Sequence, residues 1–310
     1  MAAVPTATAL TPSLSSSVPQ QPILVPATTT TTQQQQVQRT ALTPWRQCEQ
    51  HIALLIDGDC KQELKGAATN DVLNLTHCLI TYFHMPPENI YLFSSQKHQT
   101  IVEHLAAHGV HSPTSINIAE TTPENVRNAI RTVVSRCRDF AQRSFVFLHY
   151  SGHGAIMPQQ QPSSISALQT GLQVGPDVYL TNDELFQLLV LRLPRRTRVF
   201  SLIDACNSGS ALALPFSYSV DSARWNHTSH QSSKLPECEI TSIGSALAIE
   251  SSNQVRGPVV GYGGALSVAF AESQTAVECT DDPVRLVALL RDKFATLHQT
   301  PHLESAYPII

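Results

Sequence analysis

Two apolar runs, Phe145-Val146-Phe147-Leu148-His149 and Val199-Phe200-Ser201-Leu202-Ile203, each break off into a short turn that carries a reactive side chain. The turns are Tyr150-Ser151-Gly152-His153-Gly154 and Asp204-Ala205-Cys206-Asn207-Ser208-Gly209. Runs this short and this apolar read as β-strands buried on both faces, which calls for a sheet covered by helices on both sides. In such sheets ligands and chemistry collect beyond the carboxyl ends of the strands, where His153 and Cys206 fall. A thiol with an imidazole in reach is the minimum for nucleophilic acyl transfer.

The rest of the chain keeps the alternation that a parallel sheet needs. His51-Ile52-Ala53-Leu54-Leu55-Ile56-Asp57-Gly58 reads as a central strand, and Asn89-Ile90-Tyr91-Leu92-Phe93 as the next. Between them Val72, Leu75, Leu79 and Phe83 mark a helical stripe ended by Pro86-Pro87. Thr122-Pro123-Glu124 opens a helix with an N-cap and a first-turn proline. Thr181 to Glu184 caps another, ahead of the cysteine strand. Glu239 to Ile243 reads as a strand, followed by helices near 265–270 and 284–297. Met157 to Gly175, rich in Gln, Ser and Pro, reads as a polar insertion, and Ala211 to Pro236 as a long loop. The expected fold is α/β, a mainly parallel sheet flanked by helices on both faces.

Residues 1–46 differ from the remainder. Thr28 to Thr32 and Gln33 to Gln36 are homopolymers, and no acidic residue precedes Glu49. A segment with so little apolar surface cannot offset its ordering entropy, so it reads as a disordered tail before a folded domain over 47–310. A net charge of −4 supplies no basic field for nucleic acid or an anionic membrane. The seven cysteines are scattered, without a CxxC pair, which argues against a disulfide framework or a zinc site. His149 and His153 are four apart, but a strand-to-turn context does not give them the geometry of a helical zinc pair. No leader or membrane-spanning run is evident, so a cytoplasmic setting that keeps thiols reduced is expected.

His-Gly and Asp-Ala-Cys-x-Ser-Gly, each after an apolar strand and 53 residues apart from His to Cys, resemble the caspase-like cysteine peptidases, and within them the type I metacaspases. Supporting echoes are Leu214-Pro215-Phe216-x-Tyr218, Asn70-Asp71, Gly263-Gly264-Ala265-Leu266-Ser267 and Pro301 to Ser305. The resemblance implies a cysteine endopeptidase, with the low-complexity tail as its prodomain and a family association with cell death or stress. It assigns His153 and Cys206 to catalysis, and the backbone N–H groups of Gly154 and Cys206 to the oxyanion hole. It places Asp71, Ser151 and Asp204 in an S1 pocket for Arg or Lys. Asp71 reads equally well as a carboxylate near a helix N-terminus. Arg224 and Lys234, in the polar loop after the nucleophile, are candidate self-cleavage sites. Protein or peptide substrates are the expected partners, with no nucleic acid or membrane, and the enzyme is expected to be a monomer.

The chain also departs from that pattern. Ala68 stands where the family commonly has Cys, and Ala213 where it has Asp. Of the usual paired aspartates at the helix after the insertion, only Asp183 remains, beside Asn182. Calcium takes six to eight oxygens with several carboxylates. No cofactor or metal is therefore expected, and calcium activation has little to rest on. The lost acidic residues also leave open a catalytically weak paralogue that works as a regulatory or binding module.

Overall fold

The computed structural model describes residues 41–158, 168–228, 234–247, 252–256, 261–272, 274–297 and 299–309. Most of the expected tail, and residues 159–167 of the expected insertion, lie outside the described residues. In chain order the elements are β1 (Gln50–Gly58), α1 (Ala67–Tyr82), β2 (Ile90–Ser94), α2 (His98–Ala107), β3 (Asn117–Glu120), α3 (Pro123–Asp139) and β4 (Ser144–Gly152). Then follow β5 (Gly154–Ile156), β6 (Thr170–Gly175), β7 (Val178–Thr181), α4 (Asn182–Leu185) and β8 (Thr197–Ala205). Last come β9 (Phe216–Ser219), β10 (Arg224–His227), β11 (Glu239–Gly244), β12 (Gln254–Arg256), β13 (Tyr262–Gly264), α5 (Ala265–Ala271), α6 (Gln274–Glu278), α7 (Pro283–Phe294) and β14 (His302–Ser305).

Among the described residues nine strands form one sheet in the order β10-β9-β14-β11-β8-β4-β1-β2-β3. The six from β11 to β3 are parallel, and β14, β9 and β10 extend one edge antiparallel. Side chains alternate across a strand, so Ile52, Leu54 and Ile56 of β1 enter one core while Ala53 and Leu55 enter the other. The first core takes the α3 side, with Val126, Ile130 and Val133 against Val146 and Leu148. The second takes the α1, α5 and α7 side, with Leu75, Leu79, Phe270 and Leu290 around Phe147 and Phe200. This is the mainly parallel, doubly covered sheet that the apolar runs predict.

Local chemistry sets the element ends. The Thr122 hydroxyl accepts from Asn125 N–H, Pro123 supplies the first helical φ, and Arg136 and Arg138 sit in the last turn of α3, where the helix dipole favours cations. The Thr181 hydroxyl accepts from Glu184 N–H as the capping pattern predicts, and α4 runs on into a π turn over Phe186–Val190.

Three expectations change. The folded chain starts before residue 47: Trp45 is buried against Phe83 and Phe145, and Thr43 donates from both N–H and hydroxyl to Glu239. Buried Arg198 fastens this start to the sheet, donating to Thr43 O, to Thr280 O and to Asp281 Oδ1 at 2.6 Å. The polar insertion is not wholly loop, because β6 is buried and pairs with β5 and β7 in a separate three-stranded sheet. The long loop after the nucleophile contains the β9–β10 hairpin. Tyr218 and Trp225 face each other across it with ring centroids 5.2 Å apart, and Trp225 Nε1 donates to Ile309 O. Arg224 is thus the first residue of a paired strand, bonded opposite Ser219.

His149 is fully buried in β4 with its Nδ1 bonded to Leu202 O at 2.9 Å, and burial pulls its pKa down to about 3. It belongs to the core rather than to a metal pair with His153. The unfolded chain takes up a proton at an ordinary histidine pKa near 6.5 that the folded chain refuses, so stability falls as pH drops from about 6.5 towards 3. Between pH 6.5 and 5 this amounts to about 2 kcal/mol, at about 1.4 kcal/mol per pH unit. Urea unfolding at pH 7.5 and pH 5 is expected to show that extra acid loss in the wild type and not in His149→Phe.

Candidate active site

Strand register builds the site. β1, β4 and β8 lie side by side, with Asp57 opposite Ser151 and Ser151 opposite Asp204. One step on, Gly58, Gly152 and Ala205 are aligned, so His153 and Cys206 leave adjacent strand ends together. Gly152 has φ +153°, and a Cβ there would lie 2.7 Å from the Gly58 backbone. Gly154 is also obligatory, since its Cβ would fall 1.9 Å from Cys206 O. The Tyr150 hydroxyl lies 2.7 Å from His153 O and 2.9 Å from Gln173 O, tying the histidine turn back to its strand and to β6. These contacts account for the spelling of Tyr-Ser-Gly-His-Gly.

His153 Nε2 is buried and faces Asp59 Oδ1 at 3.6 Å and Glu63 Oε2 at 3.4 Å. On the other side, Ser252 N–H donates to Cys206 Sγ at 3.4 Å. Cys206 is partly exposed, whereas Cys48, Cys78, Cys137 and Cys238 are buried with thiol pKa values pushed up to about 11 or 12, mainly by desolvation. Such thiols are inert towards nucleophilic chemistry.

A cavity of about 60 Å³ adjoins the sulfur, and Asp71, Ser151 and Asp204 all line it with His153 and Cys206. The structure brings every expected pocket residue together. Asp71 is the fifth residue of α1 rather than its cap, and its carboxylate accepts from Ser151 Oγ at 2.6 Å and from Gly264 N–H at 2.9 Å. Asp204 accepts from Ser252 Oγ at 2.7 Å and from both the N–H and the hydroxyl of Ser267. Both aspartates are buried. Burial raises the Asp71 pKa well above the ordinary carboxylate value, the negative charge of Asp204 adds to the rise, and burial raises Asp204 as well. Two desolvated carboxylates on one small cavity favour a cation between them.

Several participants were not read from the sequence. Ser252 touches both the sulfur and Asp204, yet a serine in a polar stretch carries no signal. Asp59 follows the first strand, and its place opposite the histidine turn becomes visible only through register. Asp57 is buried too, accepting from Thr69 Oγ1, Ser94 Oγ and Asp59 N–H, and so ties β1 to α1 and β2.

At the start of α4 the Asn182 amide donates to Leu168 O, and Glu184 is paired with Arg127 at 2.6 Å. Ala213 is buried and offers no side-chain oxygen. Lys234 is exposed and lies between β10 and β11.

Metacaspase-1 of Eremothecium gossypii is 30% identical over 184 residues, covering 57% of this chain and 36% of that protein. Metacaspase-1 of Arabidopsis thaliana is 30% identical over 159 residues, covering 50% of this chain and 38% of that protein. The chain thus spans about a third of the length of these relatives. Among solved structures, caspase-1 from Spodoptera frugiperda aligns over 87% of this chain and 94% of its own at 12% identity, with a TM-score of 0.47. The family model for the metacaspase peptidase C14 domain matches residues 51–215, which run from the first strand through the nucleophile turn. The chain belongs to the metacaspase family of peptidase C14 domains.

Proposed function

We propose that this chain is a cysteine endopeptidase that cleaves after Arg or Lys. The observation that carries the reading is one cavity lined by a thiol, an imidazole and two buried carboxylates. Cys206 Sγ attacks the scissile carbonyl carbon as a thiolate, and the S–C bond forms while the carbonyl π pair moves to oxygen. Backbone N–H groups of Gly154 and Cys206 receive that oxyanion; losing one such donor costs about 2.7–4 kcal/mol. Protonated His153 gives its proton to the leaving amine as the C–N bond breaks, then takes a proton from the water that hydrolyses the acyl-enzyme.

The basic P1 side chain enters between Asp71 and Asp204. A volume of about 60 Å³ is room for about two waters, so the wall formed by Ser252 to Gln254 must shift to admit a long side chain. The Ser252 bonds to Cys206 and Asp204 are what such a shift exchanges for substrate contacts. A cytoplasmic setting, in which the seven free thiols would stay reduced, and a monomeric state are part of the proposal.

Hydrolysis of fluorogenic peptides tests the dyad. Cys206→Ala and His153→Ala are each expected to abolish turnover with little change in Tm. A folded Cys206→Ala protein that keeps most of its activity overturns the peptidase reading, and an inactive wild type favours the regulatory-module alternative.

For specificity, P1 Arg and Lys peptides are expected to be cleaved and P1 Asp peptides refused. Asp204→Asn should lower kcat/KM for P1 Arg by about 10- to 100-fold, the worth of one charge-assisted bond, and by more than Asp71→Asn. Because burial raises both carboxylates, their protonation as pH falls should raise KM for basic substrates in the wild type. Efficient cleavage after Asp would remove the pocket assignment.

Self-processing should favour Lys234 over Arg224, since Arg224 reaches an active site only after β10 separates from β9. Mass spectrometry of wild type beside Cys206→Ala is expected to find fragments ending at Lys234 in the wild type alone. Their absence while peptides are being cleaved excludes this site.

A further inference from the structure

The geometry points to Asp59 as a positioning residue for His153, completing a row of carboxylate, imidazole and thiol across three adjacent strand ends; this rests on the peptidase reading of the same site. The register aligns Gly58, Gly152 and Ala205, so the residues that follow, Asp59, His153 and Cys206, emerge in that order from β1, β4 and β8. The turn that carries the imidazole thus stands between the turn that carries the carboxylate and the turn that carries the thiol. Its Nε2 faces Asp59 Oδ1 at 3.6 Å, is buried and makes no hydrogen bond. With Nε2 committed to that side, Nδ1 is the ring nitrogen left for Cys206. Catalytic hydrogen bonds are often long before substrate arrives, so a small ring rotation closing 3.6 Å to bonding distance is in keeping with the resting site.

Two carboxylates share this side, and their surroundings separate them. The Asp59 side chain is 3% exposed and is fixed by its own turn, Oδ1 accepting from Glu63 N–H at 2.8 Å and Oδ2 from Leu64 N–H at 2.9 Å. Glu63 is nearer, at 3.4 Å, but its side chain is 60% exposed and the solvent screens it. A buried, immobilised carboxylate costs no reorganisation when the imidazole becomes charged. The other acidic groups on this wall, Asp71 and Asp204, are engaged with Ser151, Gly264, Ser252 and Ser267. Asp59 is therefore the group that holds the proton on Nε2 and stabilises the imidazolium.

The proton inventory stays simple. The thiol proton passes from Cys206 Sγ to Nδ1, and from Nδ1 to the nitrogen of the leaving amine as the C–N bond breaks. Asp59 orients the ring and is not a relay in this transfer.

Asp59→Asn in the full chain tests the assignment. A mispositioned base should lower kcat by about 10²-fold with KM nearly unchanged, while Glu63→Gln should cost at most about fivefold. The second readout is the pH profile of Cys206 alkylation by iodoacetamide, which needs no peptide substrate and therefore survives a failure of the peptidase reading. A carboxylate acting through His153 stabilises the imidazolium–thiolate pair, so its loss moves the thiolate midpoint to higher pH. A negative charge acting directly on sulfur would move it to lower pH when removed, and a purely structural role would not move it. An unchanged or lowered midpoint in folded Asp59→Asn, or an unchanged kcat, overturns the proposal. If Asp59→Asn does not fold, ¹⁵N NMR of the wild-type ring decides. A proton on Nε2 of neutral His153 is expected, and a proton on Nδ1 overturns the assignment.

Discussion

Everything at the site depends on the register of three parallel strands. A shift of one residue in β4 relative to β8 would exchange the two faces of every strand residue, sending the Val146–Leu148 set into the wrong core. Because both faces of these strands are buried, that exchange is heavily penalised, and the penalty fixes the chemistry as a by-product of packing. Close backbone contacts then take over at the strand ends, where Gly152 lies against Gly58 and Gly154 against Cys206. The reactive groups are located by main chain on main chain, with little left to side-chain rotamers.

The same packing buries acidic groups where ionisation is costly. Asp57, Asp71 and Asp204 are all buried at the carboxyl ends of the sheet or beside them, each surrounded by hydroxyl and amide donors rather than by cations. Among the described residues no Lys or Arg pairs with Asp71 or Asp204. With only neutral donors around them, the cost of ionising each group stays high, and the charge of Asp204 adds to it at Asp71. The positions of the strand-end groups are thus set by backbone crowding, and the ionisation of the buried aspartates by desolvation.

What the sequence disclosed follows from which forces have a local signature. Continuous apolar runs identified β1, β2, β4, β8 and β11, and Thr122-Pro123 placed the start of α3 to the residue, because burial and capping are written in adjacent positions. The β9–β10 hairpin has no such signature, since its pattern, with Phe216, Tyr218 and Trp225 among serines and asparagine, belongs to a sheet edge. Trp45 looked like the end of a low-complexity tail, and nothing nearby shows that Phe83 and Phe145 receive it. His153, Cys206, Asp71, Ser151 and Asp204 were legible through their motifs. Ser252 and Asp59 were not, because their partners are tens of residues away in sequence and a step across the sheet in space.

The Arg198 clasp fixes where the folded part of the chain begins. Thr43 is fastened at the amino end of β8, whereas Cys206 lies just beyond its carboxyl end. Nine strand residues separate the two ends of β8, about 30 Å at 3.3 Å per residue. The clasp and the thiol thus mark opposite ends of one strand, a full strand length apart.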